Sequence, residues 1–151
     1  MRPLAAALLL ALAAPVPAAD KNEDKARTAA VAFLKAVKTK DVEAVLKASA
    51  VPFAYRENDK VVVLKDADAL KKWLKERLDE IQGADRVPTE LAAIHPFADL
   101  REKIKDAEQR KTIEAVVGKD GFIAVVSADG KMIPILVRIK DDGATVVGLG
   151  R

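Results

Sequence analysis

The sequence contains no cysteine, one histidine and six aromatic residues among 151. Without cysteine there is no disulfide scaffold, no thiolate metal ligand and no lipid-modified N-terminal cysteine. One histidine is too few for the three protein ligands of a typical catalytic zinc site, so we predict no metal and no cofactor. The two serines, Ser49 and Ser127, lie outside any strand-turn-helix nucleophile motif, and glycine-rich phosphate loops are absent.

The chain also lacks a strong excess of charge of either sign. Lysine and arginine total 26 against 23 aspartate and glutamate, a formal net charge of +3. Nucleic-acid binding needs a basic face or a platform of stacked aromatic rings, so we predict no nucleic-acid partner. Half of the residues are apolar and a third are charged, which is typical of one small globular domain.

The longest hydrophobic run is short and lies at the N-terminus. Arg2 precedes an unbroken apolar stretch of 11 residues, 4–14, and Val16-Pro17-Ala18 supplies small residues for cleavage. A membrane-spanning helix needs roughly 20 apolar residues. We therefore predict a signal peptide over 1–18 and a mature domain over 19–151. That domain would be exported, periplasmic or secreted, with no membrane association after cleavage; an uncleaved anchor is the alternative.

The first half of the mature chain predicts three helices and one hairpin. Apolar residues recur at helical spacing in three segments, each preceded by a possible capping aspartate or asparagine. Two short β-prone segments are joined by Asn58-Asp59, a pair typical of tight hairpin turns. The predicted helices run from 20–22 to about 39, from 41 to about 48, and from Asp66 or Asp68 to 82, and the hairpin strands are 53–57 and 61–64.

The second half predicts a short strand, a helix and a four-stranded antiparallel meander. Asp-Gly pairs at 120–121, 129–130 and 142–143 are typical of hairpin turns. The predicted strand is 90–94, the helix 97–110, and the meander strands 112–117, 122–127, 132–140 and 145–149. On the long third meander strand Met132 and Leu136 make the outer face apolar, so either helices or a second subunit cover it. We expect a homodimer through this face.

Arg77 interrupts the apolar face of the third predicted helix. At 100° per residue it falls within the stripe that contains Leu70, Trp73 and Leu74. A guanidinium there must extend to solvent, pair with a buried carboxylate or face a wet pocket that could hold an anion. Glu90 and Glu114 are the expected carboxylate partners.

The order of elements resembles the nuclear transport factor 2-like superfamily. The residues that carry the resemblance are 41–46 at the start of the second helix, Val51-Pro52-Phe53 entering the hairpin, and the strands between Phe122 and Leu149. The resemblance implies an α+β fold with N-terminal helices packed on a curved antiparallel sheet that encloses a cone-shaped cavity. Superfamily members include isomerases, dehydratases, epoxide hydrolases and non-catalytic binding modules, so the resemblance does not decide function. Its steroid isomerases use a tyrosine and aspartates, but here the inward positions of the first helix offer no tyrosine, and the inner face of the long strand carries no carboxylate.

These observations predict an exported module that binds a small molecule or a protein. The expected pocket residues are Phe53, Tyr55, Trp73, Arg77 and His95, and the expected ligand is small and apolar or anionic. The alternative is a small-pocket isomerase, dehydratase or hydrolase acting on an apolar ligand, with Tyr55 as hydrogen-bond donor and His95 as general base. For each residue a structural role is the competing hypothesis: Tyr55 and Trp73 as core aromatics, His95 as an exposed side chain. Catalysis would require these polar groups to converge on one reacting centre.

Overall fold

The computed structural model describes residues 18–150, with side chains from residue 21 onward. The signal peptide predicted over 1–18 therefore lies almost wholly outside the described residues. Helix and strand bounds are α1 Ala18–Lys38, α2 Val42–Lys47, β1 Ser49–Glu57, β2 Lys60–Leu64, α3 Ala67–Glu80, β3 Ala93–Pro96, α4 Phe97–Leu100, α5 Ala107–Val117, β4 Phe122–Ala128, β5 Lys131–Lys140 and β6 Gly143–Leu149. Short 3₁₀ turns occupy Ala84–Arg86 and Arg101–Lys103. No helix within 18–150 is both long enough and apolar enough to cross a membrane.

The protein is an α+β structure built on one open, mixed sheet of six strands. The strand order is β2-β1-β6-β5-β4-β3, and all neighbours are antiparallel except β1 and β6, which are parallel. The prediction of a purely antiparallel sheet is therefore wrong at this one pair. The reason is topological, because the chain leaves the β1-β2 hairpin, crosses back through later elements and returns beside β1 in the same direction.

The N-terminal helices cover one face of the sheet, as their apolar stripes predict. Ala26, Ala30 and Phe33 of α1 are fully buried, and Leu70, Leu74 and Leu78 of α3 are nearly so. They pack with the inward residues of β4, β5 and β6 in one large core cluster. The Asp66 carboxylate accepts a hydrogen bond of 2.8 Å from the Ala69 amide, which makes Asp66 and not Asp68 the N-cap of α3.

The segment predicted as the first meander strand, 112–117, is helical. It forms the second half of α5, while the helix predicted over 97–110 is divided into α4, a 3₁₀ turn and the start of α5. Asp106 starts α5 by accepting a hydrogen bond of 2.9 Å from the Gln109 amide, and Gly118 ends it at φ 80°. The alternation of Ile113, Ala115 and Val117 suggested a strand, but Ile113 and Val117 also share one helical face four residues apart.

The predicted four-stranded meander is therefore reduced to three strands. The strand that pairs with β4 is β3 and not 112–117, and α4 and α5 separate β3 from β4 in the sequence. The three strands β4, β5 and β6 do follow one another directly, as predicted. Asp129 and Gly130 form the first of their turns with positive φ values of 51° and 75°.

A second helical layer covers the opposite face of the sheet. Phe97 of α4 and Val116 and Val117 of α5 are buried against Ile123 and Leu136. Leu136 is thus covered within the chain, and only Met132, at 64% exposure, remains open. Of the two coverings that the sequence left open, helices and not a second subunit cover Leu136. The homodimer stays a prediction.

Arg138 joins this second layer to the hairpin. Its guanidinium donates hydrogen bonds to the Val51 carbonyl in β1, at 3.2 Å, and to the Val116 carbonyl in α5, at 3.4 Å. Val51 precedes Pro52 through a cis peptide bond, where the pairing of β1 with β6 changes register. The side chain therefore connects the C-terminal end of α5 to the irregular part of β1.

A candidate binding cleft at the open end of the helical face

One cavity lies where the C-terminal half of α3 meets the β1-β2 hairpin and the end of β6. Its volume is about 710 Å³, within the range of sites that hold drug-sized molecules. We call it the aromatic cleft. It is lined by Tyr55, Arg56, Glu57, Asn58, Asp59, Trp73, Arg77, Glu80, Ile81, Ile133, Leu149 and Gly150.

The rings of Tyr55 and Trp73 form one wall of the aromatic cleft, and Phe53 supports them from the core. The Trp73 ring centroid lies 4.7 Å from that of Tyr55 and 5.5 Å from that of Phe53, with tilted rings in both pairs. Phe53 is fully buried and supports Trp73 from behind, whereas Tyr55 and Trp73 are half-buried at the cleft surface. Such pairs are rigid and present flat apolar surface to a ligand.

The sequence places these rings through two different periodicities. On β1, Phe53 and Tyr55 are two residues apart and so point to the same face of the sheet. On α3, Trp73 and Arg77 are four residues apart and so are neighbours on one helical face. Because α3 packs over β1, the two faces meet and bring all four side chains together.

Arg77 lies at the mouth of the aromatic cleft, with its side chain 35% exposed. Its guanidinium carbon is 5.7 Å from the Trp73 ring centroid, within cation-π distance. The guanidinium also binds Glu80 at 2.7 Å and approaches Glu57 at 3.9 Å. The expected partners Glu90 and Glu114 are wrong: Glu114 pairs with Arg101 at 3.2 Å, and Glu90 is exposed.

No buried carboxylate meets Arg77, because the described residues contain no buried charged side chain. Both of its acidic partners are about half exposed. The stem of Arg77 lies along apolar surface while its charge reaches the wet rim of the cleft. Of the three environments that the sequence predicted for the Arg77 guanidinium, the structure combines two: extension to solvent and a position facing a pocket.

The charges of the described residues that line the aromatic cleft are paired and sum to −1. The lining includes two arginines and three carboxylates. Arg56 binds Asp59 at 3.2 Å, and Arg77 binds Glu80 and Glu57. A bound anion would compete with these carboxylates for each guanidinium, so the pairing favours ligands that carry no net negative charge.

Trp73 has one unusual feature besides its stacking. Its indole Nε1 is buried, and no acceptor within the described part of the chain lies at hydrogen-bond distance. An unmet buried donor costs about 1–3 kcal/mol. The indole is therefore held in place by ring packing and by Arg77, not by its N–H group.

His95 lies far from the other predicted site residues. It is exposed on β3, the edge strand at the opposite side of the sheet from the hairpin. Four strand spacings separate β3 from β1, roughly 19 Å at about 4.8 Å per spacing. The structure thus gathers Phe53, Tyr55, Trp73 and Arg77 and leaves His95 outside the cleft.

Two smaller cavities adjoin the aromatic cleft. The first, of about 500 Å³, lies on the same face between α1, the segment after α3 and the ends of β4 and β5. It shares Glu80, Ile81, Ile133 and Leu149 with the cleft. The second, of about 210 Å³, lies on the α5 side of the sheet and is mainly aliphatic.

The hairpin carboxylates Glu57 and Asp59 and the helix residue Glu80 were missed as site residues. The spacing of Arg77 and Glu80, three residues apart on a helix, is the signal that could have found one of them. Glu57 and Asp59 reach the cleft only because the hairpin turn lies next to α3, and no local sequence pattern predicts that contact.

Among residues 18–150, no group of three or more histidine or acidic side chains is placed to hold a metal ion. A scan against protein-family models, a search of curated proteins and a search of solved structures found no match to this chain.

Proposed function

We propose that this protein is a small-molecule-binding module whose site is the aromatic cleft. The observation that carries the proposal is the Tyr55–Trp73 pair, with ring centroids 4.7 Å apart, on the wall of a cavity of about 710 Å³. Concave sites with an apolar wall and a few polar groups at the rim are the usual form of ligand pockets.

Binding is proposed in preference to turnover because the candidate catalytic groups do not converge. A proton-transfer pair must lie within hydrogen-bond reach of the same reacting atom. His95 is several strands from Tyr55, and the Arg77 guanidinium is occupied by Glu80. The alternative of an isomerase, dehydratase or hydrolase that uses these three residues together therefore has no supporting geometry.

The ligand we propose presents a flat or apolar part to the two rings and has no net negative charge. A flat ring matches the exposed surface of Tyr55 and Trp73. The three carboxylates at the rim disfavour the anionic ligand that the sequence left open.

Isothermal titration calorimetry with three naphthalene probes tests this proposal. We expect neutral 2-naphthol to bind, 1-naphthylmethylammonium to bind comparably or more tightly, and 2-naphthoate to bind most weakly. Tyr55→Ala should weaken 2-naphthol binding by roughly tenfold, the loss of one aromatic pair contact. His95→Ala is the matched control and should leave binding unchanged. Equal affinities for Tyr55→Ala and the wild type would contradict the proposal.

We also propose that the module works outside the cytoplasm. The support is the sequence of residues 1–18 alone: a basic start, an apolar run of 11 residues and a small-residue cleavage site. Intact mass of protein recovered from the cell exterior or periplasm should correspond to a chain that begins near Ala19. Recovery of the chain with Met1 from the cytoplasm would contradict this.

The fold supports a further proposal, that the chain is a divergent relative of the nuclear transport factor 2-like superfamily. In its favour are the helix, helix, hairpin and helix order before strands β3 to β6, and a cavity between α3, the hairpin and the ends of β5 and β6. The second helical layer of α4 and α5 was not anticipated from the resemblance. A crystal structure with the curvature of the sheet resolved decides the assignment.

A further inference from the structure

We propose that the aromatic cleft and its neighbouring cavity together bind an elongated amphipathic molecule, with a neutral or zwitterionic polar head and an aliphatic tail. This inference rests on the proposed binding function and names the class of ligand. The neighbouring cavity of about 500 Å³ is called the apolar chamber below.

The two cavities adjoin one another, and together we call them the trough. They share Glu80 and Ile81 at the end of α3 and Ile133 and Leu149 on the sheet. The two sheet residues are half-buried and belong to the edge of the main core. A ligand longer than one ring that extends across Ile133 and Leu149 would therefore contact both cavities.

The apolar chamber is built for a hydrocarbon. Its walls are apolar side chains of α1, the segment after α3, and strands β4 and β5, whereas its charged residues Glu80, Arg86 and Asp129 are all exposed. The apolar lining residues are Phe33, Leu34, Val37, Val87, Pro88, Val126, Ala128 and Ile135.

The aromatic cleft suits the polar head. Its charged groups are present in pairs of opposite sign, Arg77 with Glu80 and Arg56 with Asp59. A zwitterionic or hydrogen-bonding neutral head can contact both members of a pair, whereas an anionic head is repelled by the carboxylates, which outnumber the arginines. The trough therefore presents a polar end and an apolar end to one molecule.

Calorimetry with alkylphosphocholines below their micellar concentrations tests the inference. Each buried methylene contributes about a fourfold gain in affinity, so dodecylphosphocholine should bind at least about a hundredfold more tightly than hexylphosphocholine. Dodecanoate should bind more weakly than dodecylphosphocholine, because the carboxylates at the rim repel its head. Tighter binding of dodecanoate would overturn the assignment of the head.

Val37→Phe, which narrows the apolar chamber from α1, is the decisive variant. It should reduce the affinity ratio of dodecylphosphocholine to hexylphosphocholine to about tenfold or less and leave the affinity for 2-naphthol unchanged. Val125→Phe is the matched control, because Val125 is a half-buried valine on the opposite face that lines none of the three cavities. Ala128→Leu narrows the chamber from β4 and replaces Val37→Phe if that variant does not fold.

Two results overturn the inference and leave the proposed function intact, provided that 2-naphthol still binds in its own titration. The first is equal affinity of the wild type for hexylphosphocholine and dodecylphosphocholine. The second is an unchanged chain-length preference in both Val37→Phe and Ala128→Leu. Absence of 2-naphthol binding to the wild type instead contradicts the proposed function itself. The two failures are therefore distinguishable in one set of titrations.

Discussion

Arg77 shows how one residue's environment translates into separate effects on stability and binding. Its ion pairs with Glu57 and Glu80 are at the surface, where such pairs contribute at most about 1 kcal/mol. We expect Arg77→Leu to change the melting temperature little, since leucine is apolar and a good helix former. The same change raises the net negative charge of the aromatic cleft, so 1-naphthylmethylammonium should bind more tightly and 2-naphthoate more weakly.

Thermal melts and the naphthalene titrations check this prediction. Lys75→Leu, an exposed basic residue on the other side of α3, is the control for removing a positive charge from that helix. A loss of several kcal/mol specific to Arg77→Leu would mean that the guanidinium compensates a buried charge, which would contradict the placement described here.

Gly148 is required by the close approach of three strands. A Cβ atom at this position would lie 2.5 Å from the Ala54 carbonyl oxygen in β1 and 2.8 Å from a Leu136 methyl carbon in β5. Gly148→Ala should therefore destabilise the protein by about 1–3 kcal/mol. Gly143→Ala in the same strand is the control, because the nearest atom would be 4.0 Å away, and it should stay within about 0.5 kcal/mol of wild type. Equal denaturant midpoints for the two variants would show that β1, β6 and β5 are packed differently.

Among the elements, α5 is where the pattern of the sequence and the structure diverge most. The short alternation within 112–117 fits a strand as well as the inner face of a helix, and periodicity alone cannot separate them in so few residues. The deciding signals are the cap at Asp106 and the stop at Gly118. By contrast α1 and α3 are long enough for the 3.6-residue period to be unambiguous, and the β1-β2 hairpin carries its turn residues explicitly.

The cap of α5 gives a direct test of its helical assignment. Asp106→Ala removes the acceptor of the Gln109 amide hydrogen bond and should cost about 1 kcal/mol. Glu108→Ala, an exposed change within the first turn, should cost only a few tenths of a kcal/mol. Urea denaturation measures both. A neutral Asp106→Ala would support the strand that the alternation first suggested.

The contact between α2 and α3 is pH-dependent. The Lys71 ammonium donates a hydrogen bond of 2.6 Å to Glu43, and this bond, followed by the charge of Glu43, raises the pKa of Lys71 above its usual value of 10.5. A pKa raised by folding stabilises the folded state fully below 10.5, and that contribution is lost as the pH rises through the folded pKa. The melting temperatures of wild type and Lys71→Met should therefore converge at strongly alkaline pH. A gap that persists there would assign the contact to packing and not to charge.

At the scale of the whole molecule, the sequence predicts the secondary-structure elements better than the composition of the site. Periodic apolar residues and turn residues predict the N-terminal helices, the hairpin and the last three strands, because these elements depend on neighbours in the sequence. The grouping of Tyr55, Trp73 and Arg77 follows from helix and strand periodicity once α3 packs on β1. The remote position of His95 and the hairpin carboxylates at the rim depend on the strand order, which local spacing does not encode.

The state of association is the other property of the whole molecule. The outer face of β5, which suggested a dimer, is covered by Phe97 and α5 except at Met132. Light scattering of the mature chain tests the predicted homodimer, and Met132→Lys shows whether the remaining exposed apolar side chain takes part. A dimer unaffected by Met132→Lys would use a different surface, and a monomer would contradict the prediction.

The most direct test of the binding site uses Trp73 as its own reporter. It is the only tryptophan in the chain, so its indole N–H gives a single cross-peak in a ¹H–¹⁵N correlation spectrum. Titration with 2-naphthol should shift that cross-peak saturably in the wild type and much less in Tyr55→Ala. A Trp73 cross-peak that stays in place while other resonances shift would mean that the probe binds elsewhere and that the aromatic cleft is not the site.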